Sequence, residues 1–144
     1  MAHSSVIETL VDLSTQQSEE AAKRLGQALR LSEQAQEKLS LLHSYREEYL
    51  VQLQQRLGQG MTAAAHLNFL KFIQNLDRAV DQQAQSVTTS RQAVESERSQ
   101  WQQCERKRLS YDTLSRRAQQ EQLHKENRRE QKQTDEQAAR RRTA

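Results

Sequence analysis

Leu57-Gly58-Gln59-Gly60-Met61-Thr62, followed by Ala63, Ala64 and Ala65, is the one stretch of this chain that invites a reversal. Two glycines one residue apart relax the backbone and allow positive φ, the usual way to end a helix. Thr62 is placed to cap the next helix, with the three alanines as its first turn. No proline interrupts the sequence on either side.

Downstream of this break runs a seven-residue repeat. His66, Ile73, Val80, Val87, Val94, Trp101 and Arg108 form one series. Phe69, Leu76, Gln83, Ser90, Glu97, Cys104, Tyr111 and Ala118 form a second, three places later. Such a spacing keeps a narrow stripe on one side of a helix, which is a coiled-coil seam. Upstream, Leu25, Ala28, Ala35, Leu39, Leu42, Tyr49 and Leu53 follow the same three-four spacing, preceded by Val6, Leu10, Leu13 and Ala21. Ser32 and Arg46 also fall on this seam.

A short turn makes its neighbours antiparallel, so the expected fold is all-α, a long two-helix antiparallel coiled-coil hairpin. One coiled-coil domain spans 1–144, with helix 1 at about 4–57, the turn at about 58–62 and helix 2 at about 63–120. A basic C-terminal extension, 121–144, follows. At ~1.5 Å rise per residue helix 1 is roughly 85 Å long, so a rod is expected. With the turn centred near Gln59, Leu39 faces Val80 and Leu25 faces Val94. Trp101 then lies opposite the small residues Ser18, Ala21 and Ala22, a large-against-small match. Helix 1 runs out where helix 2 reaches about Gln119, so the residues beyond should overhang. An unpaired helix is marginal in water, and this segment is expected to fray or to need a partner.

Composition agrees with a rod. Hydrophobic residues are 34% and aromatics 4% of the 144 residues, too few for a thick globular core. Low hydrophobicity also fits disorder. The periodic apolar residues, set among good helix formers, argue for helices instead. The net charge of +3 is uneven, because residues 101–144 carry twelve basic and seven acidic side chains. Cys104 is alone, which excludes a disulfide framework and fits a reducing compartment. No secretory leader pattern or run of about 18 apolar residues is present, so a cytoplasmic chain without direct membrane insertion is expected.

Patterns that carry catalysis are missing. Gly58-Gln59-Gly60 lacks the lysine and strand of a phosphate loop. His3, His43, His66 and His124 are dispersed, with no metal-ligand spacing to Cys104, which reads as a small buried filler of the seam. Carboxylates such as Glu47, Glu48, Glu95 and Glu97 read as a solvated face. No enzyme activity, cofactor or metal is expected.

Two regions exceed what a seam needs. Near the turn, Leu41, Leu42, Tyr45, Tyr49 and Leu50 meet Phe69, Leu70, Phe72, Ile73 and Leu76. Ile73 and Leu76 fill the seam, so Tyr45 and Phe72 fall at its flank. They form either a docking surface or a thickened hydrophobic end. The extension carries Lys125, Arg128, Arg129 and Lys132 with interleaved glutamates. Nucleic-acid binding would use its cations, yet no aromatic residue lies beyond Tyr111 to stack on bases. Leu123 alone supplies no membrane-binding face. A partner protein or a plain solvated tail remains. A self-associating scaffold or a basic nucleic-acid-binding coiled coil is the rival from another class.

The residues around the turn carry a resemblance. Leu42-x-x-Tyr45-x-x-x-Tyr49, Gly60-Met61-Thr62 and Asn68-Phe69-x-x-Phe72-Ile73-x-x-Leu76, with the tail Glu126-Asn127-Arg128 and Gln131-Lys132-x-x-Asp135-Glu136, resemble the FliJ family. That family comprises small coiled-coil components of the flagellar type III export apparatus, and the resemblance covers essentially the full length. It implies a stalk similar to the γ stalk of rotary ATPases, docked by its terminal ends in the hexameric flagellar export ATPase. It also implies contact with the cytoplasmic domain of the export-gate membrane protein, escort of export chaperones, and a location at the flagellar base beside the inner membrane. The gate-binding residues implied here are Leu42, Tyr45, Tyr49, Phe72, Leu76 and Ala79. Lys38 and Gln83 depart from the Gln and His usual at the edges of that surface. Lys125, Arg128, Arg129 and Lys132 would meet the ATPase ring, and the hairpin is expected to be monomeric on its own.

Overall fold

The computed structural model describes the backbone from Ala2 to Thr143 and side chains from Ser5 to Thr143. It consists of α1 (Ala2–Gln59) and α2 (Ala63–Thr143), packed as a helical hairpin. Gly60 carries a φ of 92°, and its N–H donates to the Leu57 carbonyl at 3.4 Å. That bond is one of the two that close a helix end through a left-handed residue. Thr62 then caps α2: its Oγ1 accepts from the Ala65 N–H at 3.2 Å, and its carbonyl from the His66 N–H at 3.0 Å. Only one glycine does the work expected of two. Gly58 stays helical, so α1 runs to Gln59.

α2 also outruns the expected end near 120, continuing to Thr143. Between Ala63 and Thr143 lie no glycine and no proline, and Glu, Gln, Ala, Arg and Lys fill the last turns. Arg140, Arg141 and Arg142 sit at the negative end of the helix dipole.

Packing divides into two units, Ala22–Gln100 and Met1–Ala21 with Trp101–Ala144. In the first, Ala28, Leu53, Ile73, Val87 and Val94 are buried, and Leu25, Leu39, Leu42, Leu76 and Val80 are half-buried. Every position of the two α2 series in this unit is buried or half-buried, the polar ones included. The polar layers are bonded. Gln83 Nε2 donates to the Ala35 carbonyl at 2.9 Å, Arg46 Nε to Asp77 Oδ1, and Arg91 Nη2 to Gln36 Oε1 at 3.0 Å. Arg24 approaches Glu97 at 3.4 Å. Each step back along α1 is thus matched by a step forward along α2, which is the antiparallel register.

The second unit corrects the expected seam. Val6 and Leu13 are exposed, while Ser14, Ser18 and Ala21 are buried and Ile7, Leu10 and Val11 half-buried. The three-four spacing carried back from Leu25 passes through 21, 18, 14, 11 and 7. Register outranks side-chain identity here, because turning Val6 and Leu13 inward would have required breaking the stripe. Ser18 and Ala21 are buried, Trp101 is half-buried and Ala22 is exposed. Cys104 is half-buried instead of fully buried. Ile7 and Glu8 share a shallow depression with Ser115, Ala118, Gln119 and Gln122, so α1 begins beside that part of α2. Ala118 is the last partly covered residue; from Gln119 to Thr143 all are exposed.

Candidate docking surfaces

Within Ala22–Gln100, the helix ends next to the turn gather the aromatic side chains. Tyr49 lies on the α1 seam and meets two rings of α2. Its centroid is 6.4 Å from Phe69 in an edge-on arrangement and 4.4 Å from Phe72 with the planes tilted by 47°. These are the geometries aromatic quadrupoles favour. The Arg56 guanidinium sits 5.1 Å from the Phe69 centroid, over its face. Arg56 was not singled out from sequence. Its three-four spacing from Leu53 was the available signal, since it puts a cation on the seam side opposite Phe69.

The six residues of the expected gate-facing set divide by exposure. Leu42, Tyr49, Leu76 and Ala79 are half-buried, so each contributes to the seam and shows one edge. Tyr45 and Phe72 remain 44% and 42% exposed. Tyr45 and Tyr49 are four apart on α1, and Phe72, Leu76 and Ala79 are four and three apart on α2. Helical periodicity puts each set on one face, and the Tyr49–Phe72 contact brings the two faces together. The flank therefore offers an apolar surface with a rigid aromatic base. Lys38 is exposed, and Gln83 is half-buried with its amide turned to the Ala35 carbonyl.

Lys125, Arg128, Arg129 and Lys132 stand on exposed turns of α2. Spacings of three and four put them on one face, with Glu126 and Glu130 turned to another. In the same unit Ser18, Glu105 and Arg108 form a hydrogen-bonded polar cluster. The Ser18 hydroxyl donates to Glu105 Oε1, and Arg108 Nη2 donates to Glu105 Oε2 at 2.8 Å. The Arg108 hydrogen bond, with that of Ser18, holds the Glu105 carboxyl below its ordinary range; Glu105 in turn raises Arg108. This cluster holds two helices together and faces no cleft.

Among the described residues, no three His, Cys, Asp or Glu side chains group as metal ligands. No helix of the described residues is long and apolar enough to cross a membrane. The side chain of His3 lies outside the described residues; His43 and His124 are exposed and His66 half-buried. Two exposed features stand out among the described residues: an aromatic flank and a basic helix face.

Two long helices packed against each other, with aromatic and basic side chains left exposed, place the chain in the class of all-α helical hairpins. The sequence profile of the flagellar FliJ protein matches residues 3–143. The chain is a member of the flagellar FliJ protein family. It is 34% identical over 140 residues to the flagellar FliJ protein of Salmonella typhi, covering 97% of this chain and 95% of that one. The same figures hold for the flagellar FliJ protein of Escherichia coli K12. Among solved structures, a YscO homologue from Chlamydia trachomatis aligns over 92% of this chain and 90% of its own, at 21% identity and a TM-score of 0.45.

Proposed function

We propose that this chain acts in flagellar type III protein export as a non-enzymatic stalk and adaptor between the hexameric export ATPase and the membrane export gate. Membership of the flagellar family supports the export role. The aromatic flank supports the gate contact: in a chain with 4% aromatic residues, two rings stay more than two-fifths exposed beside a packed aromatic base. Exposed rings on a rigid base are the side chains that dominate protein interfaces. In this reading Tyr45 and Phe72 enter the cytoplasmic domain of the gate protein, with Leu42, Tyr49, Leu76 and Ala79 forming the floor.

Lys125, Arg128, Arg129 and Lys132 meet acidic surface of the ATPase ring, and their exposure leaves the whole face free for it. Export chaperones are escorted on the same molecule. The protein is a monomer when alone, because the hairpin closes its own seam. It is cytoplasmic and held at the inner membrane through the gate protein, at the flagellar base.

The test is binding of the double variant Tyr45→Ala with Phe72→Ala to the purified cytoplasmic domain of the gate protein. The expected outcome is a loss of binding of at least tenfold with helicity unchanged. Wild-type affinity in that variant would remove the aromatic flank from the account.

A further inference from the structure

The unit formed by Met1–Ala21 with Trp101–Ala144 is held differently from an ordinary coiled coil. Among its described residues, the buried side chains are Ser14, Ser18 and Ala21, none larger than serine. Burial of large apolar side chains is the main term that holds helices together, and here the larger ones are at best half-covered. Ile7, Leu10 and Val11 are half-buried, while Val6 and Leu13 face solvent at 58% and 49% exposure. Ser14 spends its hydroxyl on the Val11 carbonyl of its own helix, so it contributes no bond across the seam. The cross-helix bond found in this unit runs from Ser18 to Glu105.

We propose that the first twenty residues of α1, 2–21, are a releasable strap, which docks on α2 between Trp101 and Ala118 and opens as one step while residues 22–100 stay folded. Few buried apolar contacts are the physical mark of a segment that opens locally. The serines set the strength. At heptad seam positions leucine would be the tight choice, and serine there keeps the register while leaving little to hold it. Release lengthens the stretch of α2 free of α1 from 119–143 to 101–143, adding about 27 Å at ~1.5 Å per residue. The added stretch carries Trp101 and Tyr111 and leads directly into the basic face. The strap thus sets how much of α2 is available to a partner.

Amide hydrogen exchange read by mass spectrometry on the full chain tests this. Segments 8–20 and 104–118 should exchange together in one step, at least ~100-fold sooner than 28–53 and 73–94. Ser14→Leu should slow that step about tenfold by filling the seam. Gln16→Leu, which adds the same side chain at an exposed position, should leave it within about twofold, and Val11→Ala should speed it. Protection of 8–20 equal to that of 28–53 would overturn the proposal. So would a smooth residue-by-residue decline toward Ala2, which is ordinary end fraying, or an equal response to Ser14→Leu and Gln16→Leu.

Discussion

Replacing Gly60 by alanine tests the turn through the sign of a stability change. Gly60 sits at φ 92°, where a Cβ would meet no atom within 4 Å. No clash contributes, so the cost is conformational: an alanine held at such an angle loses roughly 1–2 kcal/mol. Gly26→Ala is the matched control. Gly26 is helical within α1, and its added Cβ also meets nothing within 4 Å. Glycine in a helix interior is worse than alanine by ~1 kcal/mol, so this variant should be more stable. Both substitutions restrict the unfolded chain alike, and that contribution cancels in the difference. Gly60→Ala should therefore fall below Gly26→Ala by about 1–2 kcal/mol, the strain at the left-handed position, because the unfolded-chain entropy behind most of the helix preference acts on both variants. Urea unfolding followed by far-ultraviolet circular dichroism resolves such a gap, and unequal slopes would expose any departure from two-state behaviour. A continuous helix through residue 60, as a parallel dimer requires, would make both substitutions stabilising. That result would refute the hairpin.

Three further outcomes follow from packing and charge. Ile73→Ala, at 7% exposure in the seam, should cost about 2–3 kcal/mol, whereas Leu31→Ala, at 61%, should stay within ~0.5 kcal/mol in the same urea titration. Glu105 has its folded-state pKa lowered, first by the Arg108 hydrogen bond and then by that of Ser18. Its contribution is complete above the ordinary carboxylate value of 4.5 and is lost as pH falls through the depressed value. Glu105→Gln should flatten the acid limb of a stability–pH curve for Met1–Ala21 with Trp101–Ala144, and an unchanged limb would count against the cluster. Truncation after Gln119 should weaken ATPase-ring binding and remove most of its salt dependence, measured by binding at two ionic strengths, because exposed ion pairs are screened.

Most of the fold was legible because one period governs it. Both α2 series predicted from residues 66 to 118 are buried or half-buried throughout, polar members included, and Gly60 with Thr62 forms the turn. The misreading at Val6 and Leu13 came from following apolar identity where the three-four spacing pointed to Ser14 and Ser18. The end of α2 was misread because pairing ends near Ala118, while helix propensity continues to Thr143. The aromatic flank was visible as residues a seam does not need. Its internal order was not, since the Tyr49–Phe72 approach and the Arg56–Phe69 stacking depend on how two helices close near a turn. Sequence spacing describes one helix at a time.

The most direct test of a stalk with different partners at its two surfaces is a crossed binding measurement. The Tyr45→Ala, Phe72→Ala double variant and the chain truncated after Gln119 are each titrated against the gate protein's cytoplasmic domain and the ATPase hexamer. The account predicts that the double variant loses the gate and keeps the ring, while the truncation loses the ring and keeps the gate. Equal losses at both partners in either variant would contradict it.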